Sequence, residues 1–98
     1  MNDGHHRLVE LFDALSLLDN KDEARRFILD LCTPQEIKAL KERWKVAQLL
    51  NCRELSYRDI NQITAASLTT IGRVARFLKE EHNNGYQLML DKLRNGEQ

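Results

Sequence analysis

Ser67, Thr69, Thr70, Gly72, Arg73 and Arg76 fall within ten residues of one another, with Arg58 upstream and Lys79 just beyond. Short hydroxyl side chains interleaved with guanidinium groups suit the recognition of duplex DNA. A Thr hydroxyl donates to or accepts from a base edge and its methyl meets thymine, while Arg takes guanine bidentately or grips phosphate. The frame around these residues has the grammar of a helix-turn-helix. Ser56 with Asp59 three residues later is a capping signature that opens a short helix bearing Ile60 and Ile63. Thr64-Ala65-Ala66-Ser67 then forms a turn of small residues, and Ser67 caps a second helix carrying Leu68, Ile71, Val74, Ala75 and Leu78. Ser67 satisfies the first free backbone N–H groups while keeping that end slim enough to approach a phosphate. Ile71 and Val74 turn inward against Ile60, which leaves Leu68, Thr69, Gly72, Arg73 and Arg76 outside and Thr70 at the edge. The expected DNA-binding set is therefore Arg58, Asn61, Ser67, Leu68, Thr69, Thr70, Gly72, Arg73, Arg76 and Lys79, with Arg58 and Lys79 holding the backbone. Tyr57 either reaches a phosphate or packs on Arg58, and the sequence leaves both open. The motif is imperfect: Ala65 stands where Gly is usual and Thr64 where an apolar residue is common. The competing structural reading is two core helices joined by a capped turn.

No other constellation converges. His5 and His6 are neighbours, about 100° apart around a helix, with no third ligand nearby, so a solvated helix start is the simpler reading. His82 beside Glu81 reads as a favourable charge at a helix C-terminus. Cys32 and Cys52 form no CxxC and read as reduced, half-buried thiols. Trp44 reads as core. There is no Gly-rich phosphate loop, no paired acid in a plausible pocket, and no Ser-His-Asp or Cys-His arrangement at useful spacing. Catalysis is rejected, and no metal is expected.

The elements that must carry the motif are all helical. Leu8, Leu11, Phe12, Leu15 and Leu18 recur at steps of three and four, predicting a helix over residues 5–18. Asn20 with Glu23 caps a second helix with an apolar face of Ala24, Phe27, Ile28 and Leu31. Thr33 at N-cap, Pro34 at the first helical position and Glu36 start a long third helix through Ile37, Leu40, Trp44 and Ala47 to about Asn51. Asn83-Asn84-Gly85 stops the fifth helix, and Tyr86, Met89, Leu90 and Leu93 give a sixth to about Arg94. No segment alternates with period two. One Pro and four Gly in 98 residues leave little turn punctuation for a β-rich chain, so the fold class is all-α with six short helices.

Ninety-eight residues make one domain, 1–98. Within it, residues 1–33 form N-terminal dimerisation helices, 34–55 the central long helix, 56–81 the helix-turn-helix and 83–98 a C-terminal helix. The first two helices and the last carry more large apolar side chains than a monomer of this size covers, which predicts a homodimer. Formal charge is zero but polarised: residues 1–33 carry a net −3 and residues 34–82 a net +3. Two copies side by side make a better polyanion binder than one. The apolar runs are too short for a membrane span and the N-terminus lacks the apolar stretch of a signal peptide, so the expectation is a cytoplasmic protein.

Nearly the whole chain resembles the Trp repressor superfamily. The resemblance rests on Leu31-Cys32-Thr33-Pro34-Gln35-Glu36 through Leu40, Arg43, Val46 and Leu50, then Ser56-Tyr57-Arg58-Asp59 and Ser67-Leu68-Thr69-Thr70-Ile71-Gly72-Arg73. With Gly85-Tyr86 and Met89-Leu90-Asp91-Lys92-Leu93, it is closer to the YerC/YecD-type TrpR-related proteins. The resemblance implies an intertwined homodimer whose fourth and fifth helices bind operator half-sites about one turn of DNA apart. It implies a ligand site too, with Arg43 and Arg73 at the positions that sandwich the indole of tryptophan in the Trp repressor and Thr33 near the start of the third helix. Two departures count against tryptophan: Val74 stands where the Trp repressor has Gly, and Phe77 replaces a small polar residue, so the chain's own side chains would fill the cavity. The expectation is a sequence-specific DNA-binding regulator, a repressor, that needs no cofactor, with a different small corepressor as the second possibility. Arg73 is left facing DNA, a ligand or a carboxylate. A helical dimerisation and protein-interaction module without specific DNA binding is the alternative that zero net charge keeps open.

Overall fold

The motif is carried by four helices whose apolar faces meet in one small core. The computed structural model describes residues 7–52, 54–80 and 83–96, and six α-helices occur among them. These are α1 (Leu11–Leu15), α2 (Lys21–Leu31), α3 (Pro34–Leu50), α4 (Tyr57–Thr64), α5 (Leu68–Lys79) and α6 (Gly85–Gly96). No strand occurs among the described residues. The chain divides into two compact units, Met1–Ile37 and Lys38–Gln98.

In the first unit, α1 is shorter than the apolar spacing predicts. Glu10 is extended (φ −69°, ψ 153°) and its carboxylate accepts from the N–H groups of Phe12 (2.9 Å) and Asp13 (3.0 Å), so it caps the helix and starts it late. The Ser16 hydroxyl donates to Asp13 O at 2.7 Å, and Leu17 and Leu18 close i→i−3 bonds that tighten the exit. Leu8 and Leu18 thus lie outside the helix, and His5 and His6 lie outside the described residues. The other starts follow their caps: Asn20 Oδ1 accepts from Glu23 N at 2.9 Å at the head of α2. At α3, Thr33 Oγ1 accepts from Glu36 N (3.1 Å) while Glu36 Oε1 accepts from Thr33 N (2.8 Å), a closed capping box before Pro34. None of the described residues of this unit is buried: Leu8 is 93%, Phe12 70% and Leu17 72% exposed.

The second unit holds the core. Val46 and Ala47 of α3, Ile60 of α4, Ala66 of the turn, and Ile71 and Val74 of α5 are all sealed from solvent, with Trp44, Leu50, Leu55 and Tyr86 packed partly against them. Every side chain in this cluster is apolar, and no polar or charged described residue is buried. α5 packs against both α4 and α6. The sixth helix begins at Gly85, one residue earlier than its apolar pattern suggests. Asn83-Asn84-Gly85 therefore starts a helix and does not end one. The capping residue of α5 is Glu80, and the left-handed residue is Asn84 (φ 58°), which feeds α6. Glu81 and His82 lie outside the described residues.

Candidate nucleic-acid interface

The two helices of the motif are fastened by their side chains. At the start of α4, Ser56 Oγ accepts from Asp59 N (3.1 Å) and Asp59 Oδ2 accepts from Ser56 N (3.0 Å). The backbone N–H of Ser56 and then its hydroxyl hold the Asp59 carboxyl below its ordinary range, against a smaller desolvation effect, with the Arg58 charge the least of the four. The cap is therefore ionised at neutral pH.

α4 ends at Thr64, so the turn is Ala65, Ala66 and Ser67. Ala65 takes the left-handed conformation (φ 64°, ψ 7°) that a helix end commonly gives to Gly. Its own N–H donates to Asn61 O (2.8 Å), and three side-chain hydrogen bonds brace the residues around it. The Thr64 hydroxyl donates to Ile60 O (2.7 Å) and accepts from Ala66 N (3.0 Å), and Asn61 Nδ2 donates to Ala66 O at 2.7 Å. This explains why Thr64 occupies a position where an apolar residue is common: its hydroxyl serves the turn from both sides. Asn61, grouped with the DNA-facing residues on sequence, is half-buried and spends its amide on Ala66. The signal was available in the Asn61-x-x-Thr64 spacing ahead of small residues, because such side chains compete for nearby backbone groups.

α5 divides as its spacing predicts. Ile71, Val74 and Ala75 are buried, Leu68, Thr69, Arg73, Arg76 and Lys79 are exposed, and Thr70 and Gly72 are intermediate. Ser67 Oγ accepts from Thr70 N (3.1 Å) and its hydroxyl donates to Thr70 Oγ1 (3.1 Å), so both hydroxyls are tied into the cap. A Cβ built on Gly72 would meet nothing within 4 Å, so this glycine marks a flat, open stretch of the outer face. The helix carries three cations and no acid, with Arg76 and Lys79 in its last turn. On α4, Arg58 and Tyr57 are exposed. The arrangement offers a slim, capped helix end followed by small groups, then guanidinium and ammonium groups, all on one solvent-facing side.

The residues assigned by resemblance to a ligand are placed as follows. Thr33, in the first unit, has its hydroxyl engaged in the α3 capping box. Arg43 is half-buried on α3. The Arg73 guanidinium lies over the ring of Phe77, 4.5 Å from its centroid, and Val74 is fully buried. Sequence reasoning named Phe77 as a space filler and missed it as the seat of Arg73, although the i, i+4 spacing places the two side chains together. Phe77 also lines an apolar groove of about 350 Å³ with Trp44, Tyr86 and Met89, so Trp44 is half-buried at a groove wall and not enclosed in the core. Both cysteines are free thiols, Cys32 half-buried and Cys52 exposed. No helix among the described residues is long and apolar enough to cross a membrane.

Comparison with known proteins gives a consistent result. The family described as Trp repressor protein matches residues 6–94. The uncharacterised protein YerC of Bacillus subtilis (strain 168) is 38% identical over 90 residues, covering 92% of this chain and 85% of YerC. A crystal structure from Staphylococcus aureus, described as a candidate Trp repressor, is 39% identical with a TM-score of 0.78, covering 86% of this chain and 82% of that one. A TrpR-like protein from Eubacterium eligens ATCC 27750 is 41% identical with a TM-score of 0.76, covering 85% of this chain and 84% of that one.

Proposed function

The chain belongs to the Trp repressor family, and from that premise we propose that it is a sequence-specific DNA-binding transcriptional regulator, a repressor, acting as a cytoplasmic homodimer. Trp repressor proteins and their TrpR-like structural relatives are not enzymes, and neither is this chain. The observation that carries the reading is the outer face of α5, where a capped helix end and small side chains lead into three cations, with no acid inside the helix before its C-cap Glu80. That combination matches what a major groove accepts: groups short enough to reach base edges, with positive charge behind them for phosphate.

The mechanism is steric. A dimer sets two copies of α5 into successive major grooves and occupies the promoter. Leu68, Thr69 and Gly72 lie nearest the base edges, with Ser67 and Thr70 at the helix start. Arg58, Arg76 and Lys79 grip phosphates, and Asn61 acts by holding the turn that sets the angle between α4 and α5. Dimerisation is supported by the first unit, in which no described residue is buried and Leu8, Phe12 and Leu17 stand exposed, an arrangement a lone chain of this size does not favour.

Binding needs no small corepressor in this reading, because Val74 is buried in the core and the Phe77 ring already lies against Arg73. The test is selection of bound sequences from a random duplex pool, with and without tryptophan, at two salt concentrations. A palindrome enriched without tryptophan is the expected result. Enrichment only with tryptophan would refute the corepressor-free part. No enrichment under any condition would refute sequence-specific binding and favour a protein-interaction module, whose contacts need not weaken steeply with salt.

A further inference from the structure

We infer that Phe77 is a positioning residue for DNA binding, and that the ring it places under Arg73 commits that arginine to the phosphate backbone and withholds it from the bases. The inference rests on the DNA-binding reading of α5 and settles the role of Arg73 within it. Side chains on a helix lean toward its N-terminus, so an unrestrained arginine at position 73 would lie over Thr69 and Thr70, in the turn that meets base edges. The guanidinium instead sits 4.5 Å from the centroid of the Phe77 ring, which is half-buried at the wall of the apolar groove. The ring thus draws it toward the groove-side edge of the exposed face, and the middle of that face is left to Leu68, Thr69 and Gly72.

Phe77 is suited to the task because it is not itself loose. It is half-buried and shares the wall of the apolar groove with Trp44, Tyr86 and Met89, while Arg73 is exposed. A planar guanidinium stacks on an aromatic face and keeps its N–H groups free at the edge, so the ring orders the cation without consuming its donors. An arginine ordered in advance loses less freedom when it meets a phosphate. Immobilising one long side chain at an interface costs about 0.5–1.5 kcal/mol, which converts to a roughly two- to tenfold effect at each half-site and a roughly four- to hundredfold effect for a dimer carrying two copies.

The test compares wild type with Phe77→Leu, Phe77→Tyr, Arg73→Lys and the double variant Arg73→Gln/Phe77→Leu. In the free protein, the Arg73 Nε–H resonance should be shifted upfield by the ring and should lose that shift in Phe77→Leu. Dissociation constants are then measured by anisotropy on a selected duplex and on a scrambled one at the same salt. Phe77→Leu and Arg73→Lys, each altering both halves of the dimer, should weaken both duplexes by the same roughly four- to hundredfold factor. Phe77→Tyr should match wild type, and Phe77→Leu should add nothing in the Arg73→Gln background. Melting curves identify any variant that is not folded, and Arg73→Lys, being a surface change, keeps the comparison valid if Phe77→Leu is not. The inference is overturned if Arg73→Lys binds like wild type, if Phe77→Leu still weakens binding without Arg73, or if either change alters the preferred sequence. A wild type that binds no duplex at low salt overturns the DNA reading itself, and this inference with it.

Discussion

Replacing Lys79 with Gln gives a direct measure of how the positive face is used. The exposed cations of the two motif helices are Arg58, Arg73, Arg76 and Lys79. If all four meet phosphate in each half of a dimer, eight counterions are displaced, and log K should fall against log salt with a slope of about −7. Between about 50 and 200 mM salt the affinity then drops by about four decades. Lys79→Gln removes one contact from each half, so the slope should become about −5 and the drop about three decades. The loss is therefore largest at low salt and shrinks as salt rises. The assay is anisotropy of a labelled duplex across that salt range, on the selected operator and on a scrambled control, with the same change of slope on both. Lys79 sits in the last turn of α5, where a positive charge favours the helix by about 0.3–1 kcal/mol, so melting curves are recorded alongside to show that both proteins are folded at the assay temperature. A slope unchanged to within about half a unit, or a loss confined to the operator, would refute the assignment of Lys79 to the backbone. A wild-type slope shallower than about −3 would refute the wider claim that this face meets phosphate.

Thr69→Ala should leave the salt slope intact and change which base is preferred at one position of each half-site, by about 1–3 kcal/mol; selection profiles that match wild type would show that the recognition face has been placed wrongly. Ala65→Gly should raise the melting temperature by roughly 2–8 °C, because relief of a left-handed alanine, worth about 1–2 kcal/mol, outweighs the extra backbone entropy of glycine. A lower melting temperature would mean that the Asn61 and Thr64 bonds leave no strain there to relieve. Asp59 has its carboxyl held below the usual range, so its cap stabilises the fold above the unfolded-state pKa of about 3.9 and is lost as pH falls toward the lower folded value. Asp59→Asn should flatten that acid limb in melting curves recorded from neutral pH downward, and a gap between the two proteins that is constant with pH would exclude the ionised cap as its source.

The parts of this fold legible in sequence are those decided within four residues. The Asn20, Thr33, Ser56 and Ser67 caps each accept from the N–H three residues on, and each sets a helix start within a residue of its reading. The inward face of α5 was legible for the same reason, since Ile71 and Val74 need only the helical period to meet Ile60. Misreadings arose where a side chain turned back on the backbone. Glu10 shortens α1 from a position that apolar periodicity does not score, and Asn84 adopts the left-handed conformation at the head of α6 and not at the tail of α5. Asn61 and Thr64 spend their polar atoms on the turn, although residue type alone grouped Asn61 with the DNA-facing residues.

Arg73 shows why composition cannot assign a role even where it predicts a site. On sequence it is one more guanidinium on a polar face, equally suited to base, phosphate or ligand. The structure adds a ring on the same side of the helix one turn away, half-buried in a groove wall, and the ring limits where the charge can go. The same residue bears on the corepressor. An aromatic ring against this arginine is what the family resemblance implies for an external indole, and here the chain supplies one from position 77 while Val74 closes the core beneath. If the ring's function is to order Arg73, an internal phenylalanine does so at every ligand concentration. The regulatory input to such a protein then has to act elsewhere, through the amount of protein made or through its assembly into dimers.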